Sequence, residues 1–271
     1  MKYVVVLLVL ATSSRARADD APSFVTLDRA DSSSRVGVET SYIAPPSPAS
    51  AVVRFEAHAQ EVASDGLGVY AVIPAAVSST STFGEIELGG IYAEPFWSGL
   101  DMVARAGVAL PTGSAGLDAE AVNAIASTPR LGDAVLGYPD TTAARLGLSP
   151  LWHRGRWFAR GDLGLDIPLK PAANITFGAP LLRLDAGVGI DLGSVVLSAE
   201  LANVLVFRDF VDNSAGPGLP QRTAWYDTAA IGARLRFGTV EPYAAVIVPL
   251  EQDSASYFDV AFTLGLDLHF R

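Results

Sequence analysis

The sequence predicts an all-β fold, a single transmembrane antiparallel β-barrel of about twelve strands with both termini in the periplasm. Three observations carry this expectation. The chain opens on an export signal, its apolar residues alternate with polar ones in stretches of about ten, and the connections between those stretches alternate short and long.

The signal occupies residues 1–18. Lys2 supplies the positive start, Tyr3–Ala11 the short apolar run, and Ala16-Arg17-Ala18 the small-x-small cleavage pattern. The run is far shorter than the roughly 20 residues of a membrane-spanning helix. Residues 19–34 read as a short polar leader in the periplasm, with folding back into the lumen as the alternative. Residues 35–271 form the barrel.

Alternation is clearest in the closing stretch. Phe258, Val260, Phe262, Leu264, Leu266, Leu268 and Phe270 fall on one face, and Tyr257, Asp259, Ala261, Thr263, Gly265, Asp267 and His269 on the other. Period two means a strand between two unlike environments. Residues 182–192, 157–168 and 100–110 repeat the pattern. Twelve such strands are expected near 35–44, 51–60, 66–74, 84–94, 99–110, 143–153, 156–168, 180–192, 194–205, 226–237, 240–250 and 256–270. A soluble sandwich also alternates, but these stretches have the length that crosses a bilayer at a tilt, and an even strand number suits a single-chain bacterial barrel.

The even-numbered joins are short: Glu61–Asp65, Pro95–Ser98, Arg154–Gly155, Gly193 and Gly238–Thr239. The odd joins are Pro45–Ser50, Ala75–Phe83, Pro111–Thr142, Leu169–Ala179, Val206–Trp225 and Glu251–Ala255. Barrels place short turns in the periplasm and longer loops outside, so the two longest joins are expected to be exposed loops. Aromatics near strand ends suit interfacial girdles. Trp97, Trp152, Trp157, Phe237, Tyr243 and Phe270 are assigned to the periplasmic rim, and Tyr42, Phe83, Phe207, Phe210, Trp225 and Tyr226 to the outer rim.

Composition excludes several functions. Formal charge is −10 and no basic stripe is present, so a nucleic-acid partner, whose phosphates need Lys and Arg, is not expected. There is no cysteine, which removes disulfides, cysteine metal sites and a lipidated amino-terminal cysteine. The three histidines, His58, His153 and His269, sit beside no serine nucleophile in the arrangement a barrel phospholipase would need. Gly187, Gly189 and Gly193 lack the strand-to-helix setting of a nucleotide loop. No enzyme activity, cofactor or metal is expected.

Two stretches carry a resemblance. Val240–Phe270 looks like the end of an outer-membrane barrel, in which alternating apolar residues finish on an aromatic. Leu264, Leu266, Leu268 and Phe270 match, with Arg271 leaving Phe270 penultimate. The resemblance implies that these residues are an assembly signal read by the barrel-assembly machinery. Arg105–Gly113, ending Leu-Pro-Thr-Gly, together with Pro242-Tyr243 and Val248-Pro249-Leu250, resembles the outer-membrane transporters of the phenol-degradation (meta-pathway) family. That resemblance implies a channel for small, often hydrophobic compounds.

The inward face is charged. Arg54, Glu56, Glu87, Arg105, Arg145, Arg160, Asp162, Arg183, Asp185, Glu200, Arg234 and Asp259 are the proposed lumen lining, with Asp162 and Asp185 expected beside Arg160 and Arg183. Charges removed from water need partners, so this face forms either a salt-bridge ladder filling the barrel or a selectivity lining. Over the whole inward face, which adds Glu39, Glu85, Asp101, Asp166, Asp191, Asp267, Arg35 and Arg236 to that lining, twelve acids meet eight bases, an excess that would make an open lumen mildly cation-selective. The functions that follow are a passive, porin-like channel for a small solute, or a closed structural or surface-recognition barrel acting through its loops. Outer-membrane lipid is the expected surrounding.

Overall fold

A computed structural model describes residues 24–27, 31–47, 50–114, 116–138, 140–170, 180–207 and 224–270. Alternating side chains make the wall. In β9 (Leu181–Asp191) and β12 (Val240–Pro249) every second residue is buried and the residues between them are mostly exposed. What is exposed is apolar, including Val188, Leu197, Leu201, Ile231, Val246, Phe262 and Leu264, while Arg, Glu and Asp are buried inside. This inside-out arrangement is the one lipid outside and polar groups within require.

The remaining strands are β1 (Arg35–Ala44), β2 (Val52–Val62), β3 (Leu67–Val77), β4 (Ser81–Phe83), β5 (Ile86–Trp97), β6 (Leu100–Leu110), β7 (Thr142–Arg154), β8 (Trp157–Lys170), β10 (Val195–Val206), β11 (Ala224–Leu235) and β13 (Val260–His269). Except for β4 and β5, which both pair with β3, each pairs antiparallel with its chain neighbours, and β1 pairs with β13 from Arg35↔His269 to Ala44↔Val260, which closes the ring. Twelve wall positions result, because β4 and β5 share one. β3 pairs with β5 through Leu67–Val72 and with β4 through Ala75–Val77.

Strands observed at 86–97, 224–235 and 260–269 differ by a few residues from the expected 84–94, 226–237 and 256–270. Phe258 and Asp259 precede the last strand, so period two does not govern them. Phe258 is fully buried against Ile43 and Val52, and Asp259 is exposed, the reverse of the faces their alternation suggested.

The short turns all lie at one end of the barrel, where β1 begins and β13 ends. They are tight enough to need a left-handed residue, and glycine supplies it without a Cβ clash, as at Gly193 (φ 90°) and Gly238 (φ 66°). Trp97, Trp152, Trp157 and Phe237 ring this end with exposed side chains. Tyr243 does not join them. It points inward, its hydroxyl 3.0 Å from Glu39 and its ring 4.4 Å from the Arg234 guanidinium, with Gly265 across the strand leaving the space for the ring. At the other end Tyr42, Phe83, Phe207 and Trp225 are exposed, Tyr226 turns inward against Tyr257, and Phe210 lies outside the described residues.

The join Pro111–Thr142, read from composition as an exposed loop, folds into the barrel instead. It carries α1 (Leu117–Ser127) and a 3-10 helix (Leu131–Gly137) whose residues are all buried. Its Ala-rich composition suits a helix and its small side chains let that helix fit inside a closed wall. A second short helix, α2 (Gln252–Ala255), caps the turn before β13.

Candidate functional site

The lumen is filled by three contributions: wall charges, the inserted loop and part of the leader. Arg145 sits at the centre with no exposure. Its Nε lies 3.1 Å from Asp166 Oδ1, its Nη1 pairs with Glu87, and its Nη2 donates to the Gly132 carbonyl of the inserted loop. Arg183 reaches the same Asp166 at 3.2 Å, and Arg105 approaches Glu87 at 3.7 Å. On β2, Arg54 pairs with Glu56 and, at 3.2 Å, with Glu39 of β1. Arg234 pairs with Asp267 at 2.6 Å and Glu241 at 3.4 Å. Arg160 pairs with Asp162 at 2.8 Å. Buried ions persist only when paired and hydrogen-bonded, and this ladder does both.

Arg54, Glu56, Glu87, Arg105, Arg145, Arg160, Asp162, Arg183, Asp185, Glu200 and Arg234 are all buried inside the wall. Asp259 is not among them, for the reason given above. Arg183 turns to Asp166, and Asp185 accepts the Asn203 backbone N–H at 2.8 Å. Leu264 and Leu268 of the proposed assembly signal are exposed, and Leu266 and Phe270 are half-buried.

The inserted loop is fastened at two levels. At its base Glu85, fully buried, accepts N–H bonds from Thr112, from Gly113 at 2.9 Å and from Thr141 at 3.1 Å. One carboxylate thus holds both ends of the loop, and the Pro-Thr-Gly stretch supplies two of its three donors. Deeper in, Asp133 lies 2.8 Å from Arg130, 3.2 Å from Arg54 and 3.7 Å from Arg145. The sequence alone marks Glu85 as an inward acid. Its role as a clamp, and those of Arg130 and Asp133, depend on the loop turning inward, which no periodicity in the strands reveals.

The leader meets the loop in the same space. Phe24, Val25, Thr26 and Leu27 are buried inside the wall, with Thr26 bonded to Glu200, so these residues occupy the lumen and not the solvent at its mouth. Further along, Asp31 binds Arg35 at 2.8 Å and Gln60 at 2.7 Å near the short-turn end.

A cavity of about 300 Å³ lies at the long-connection end. Ala121 and Ala124 of α1 and Leu131 and Ala134 of the 3-10 helix form one side. Leu181, Val204 and Val206 of the wall form the other, with Tyr138, Tyr226 and Tyr257 at the edge. Glu120 is the one charged side chain among the described lining residues.

Comparison with known proteins finds no matching family model and no matching curated relative. Solved structures do match. An outer membrane channel from Pseudomonas putida F1 superposes with a TM-score of 0.62 at 13% identity, over 94% of this chain and 100% of that one. The fold is that of an outer-membrane β-barrel. The NanC porin gives 0.58 at 8% identity over 87% of this chain and 100% of its own, and the KdgM porin 0.53 at 10% identity over 87% and 99%. Within that outer-membrane barrel fold, the filling of the lumen and the lining of the cavity are features of this chain's own residues.

Proposed function

We propose that the chain is a passive channel of the bacterial outer membrane for small hydrophobic molecules. The apolar cavity at the long-connection end is the observation that carries this reading. A pocket of that size, walled by Ala, Leu and Val with tyrosines at its edge, suits a small uncharged molecule with an apolar body and one polar group. The resemblance of Arg105–Gly113 to transporters of the phenol-degradation family points the same way. An acidic sugar chain is disfavoured. One KdgM porin structure holds oligogalacturonate, whereas here Arg54, Arg145, Arg160, Arg183 and Arg234 are each tied to carboxylates. A second reading, a closed structural barrel, is favoured by the filled lumen.

Uptake separates the two. Cells with an intact outer membrane should accumulate a labelled neutral aromatic, such as a monohydroxylated benzene, several-fold faster when they carry the protein. Ala124→Trp, which fills the cavity, should return uptake to background while the barrel still shifts on gels after boiling. Equal uptake with and without the protein would reject the channel and leave the structural barrel.

A further inference from the structure

We infer that residues 24–27 are a detachable plug, seated on Glu200 and joined to the inserted loop through Arg130, whose withdrawal toward the short-turn end opens the lumen. The seat is built for this segment. Glu200 is 2% exposed. Its Oε1 accepts the Val25 N–H at 2.9 Å, and its Oε2 accepts the Thr26 N–H at 2.5 Å and the Thr26 hydroxyl at 2.7 Å. Ser198 on the same strand donates to Oε1 at 2.8 Å. Three of these four donors come from the leader, so the carboxylate is solvated by the plug in place of water.

The wall is also shaped to receive it. Phe24 packs on Phe158 with ring centroids 5.2 Å apart. A Cβ at Gly187 would strike the Phe24 ring and come within 2.9 Å of Leu27, and one at Gly232 would lie 3.1 Å from Val25. Inward glycines on two separate strands therefore leave room for the leader, filled at Gly187 by Phe24 and Leu27 and shared at Gly232 between Val25 and the wall residue Ser198. The inward Gly187 of the sequence finds its reason here.

Seating is reversible by construction. The segment adds no strand to the sheet, so its withdrawal breaks no ladder bond of the wall. Its chain continues to Asp31, held at the short-turn end by Arg35 and Gln60, the end toward which it would retract. Arg130 of the loop donates to the Val25 carbonyl and, at 3.5 Å, to the Leu27 carbonyl, while pairing with Glu39 of the wall at 3.4 Å. Withdrawal therefore removes two acceptors from the residue that ties the loop to the wall, and loosens both parts of the filling together.

The chain has no cysteine, so Leu27→Cys places a single thiol at a fully buried position that makes no bond to Glu200. Full-length protein in lipid vesicles should react with a charged, membrane-impermeant maleimide far more slowly than the urea-unfolded chain does. Adding Glu200→Ala, or Thr26→Pro in the leader, which is no strand of the sheet, should speed labelling at least about tenfold, the loss expected for one charge-assisted hydrogen bond. The same two changes, without the cysteine, should raise the frequency of ion-current openings in planar bilayers. Heat-dependent gel migration reports that each variant is folded, and Thr26→Pro serves if Glu200→Ala fails to assemble. Labelling of Leu27→Cys at the unfolded rate would show that the segment is not seated. Unchanged labelling in the variants would show that Glu200 does not hold it, and faster labelling without added current would show that it is no gate. Thiol labelling and ion current do not depend on the solute, so failure here leaves the hydrophobic-channel reading standing, and the converse holds.

Discussion

Leu264→Arg should destabilise the folded barrel by about 2–4 kcal/mol, the cost of an arginine on the lipid face near the bilayer midplane. Leu264 lies in the middle of β13, paired with Thr40 and Ala244, and its side chain is 60% exposed on the outer surface. Leu268 is on the same face one residue from the end of the strand, where arginine can reach the headgroups, and Leu268→Arg should cost about 0–1 kcal/mol. Thr263 is a poor control because it is buried, with its hydroxyl 2.8 Å from Ser41. Urea titrations of folding into lipid vesicles measure both variants. Equal losses would mean that the outward face of β13 does not meet hydrocarbon.

Arg145→Met should cost about 3–5 kcal/mol, the penalty for removing one partner of a buried ion pair. The side chain ties Glu87, Asp166 and the Gly132 carbonyl together and stands 3.7 Å from Asp133. Its loss leaves acidic groups from the wall and the loop close together with one cation fewer. Arg236→Met removes a pair with Asp191 in which both partners are more than a fifth exposed, and a 3.4 Å contact to Glu241, which keeps Arg234 as its partner, and should cost about 1 kcal/mol. The same titrations apply, and a small effect at Arg145 would show that its neighbourhood is hydrated and open.

The wall was legible because a strand's period is two residues and the two environments differ sharply. Leu182–Leu192 shows this, with Arg183, Asp185 and Gly187 on one side and Leu184, Ala186 and Val188 on the other. The contrast fails where a residue leaves the strand. Phe258 and Asp259 continue the alternation on paper, but they precede the strand, which begins at Val260. Tyr243 was assigned to the rim from its chemistry, although it shares parity with Glu241 and Ala245, both buried. The parity was the better guide. Asp133, Arg130 and Thr26 are a different case. Their partners Arg54, Glu39 and Glu200 lie 79, 91 and 174 residues away, and only closure of the barrel brings them within reach. Composition also misled at residues 111–142, because Ala, Gly and Ser suit an exposed loop and equally suit a helix that must fit within a crowded lumen.

A twelve-position barrel filled by chain inserted into its own lumen is expected to be held shut. Ion current through the purified protein in a planar bilayer tests it most directly, comparing the full chain with a variant in which residues 116–138 are replaced by a short Gly-Ser linker. The full chain should be nearly silent, with brief openings, and the shortened protein should carry steady, stepwise, mildly cation-selective current. A full chain conducting continuously, at the level of the shortened one, would contradict it.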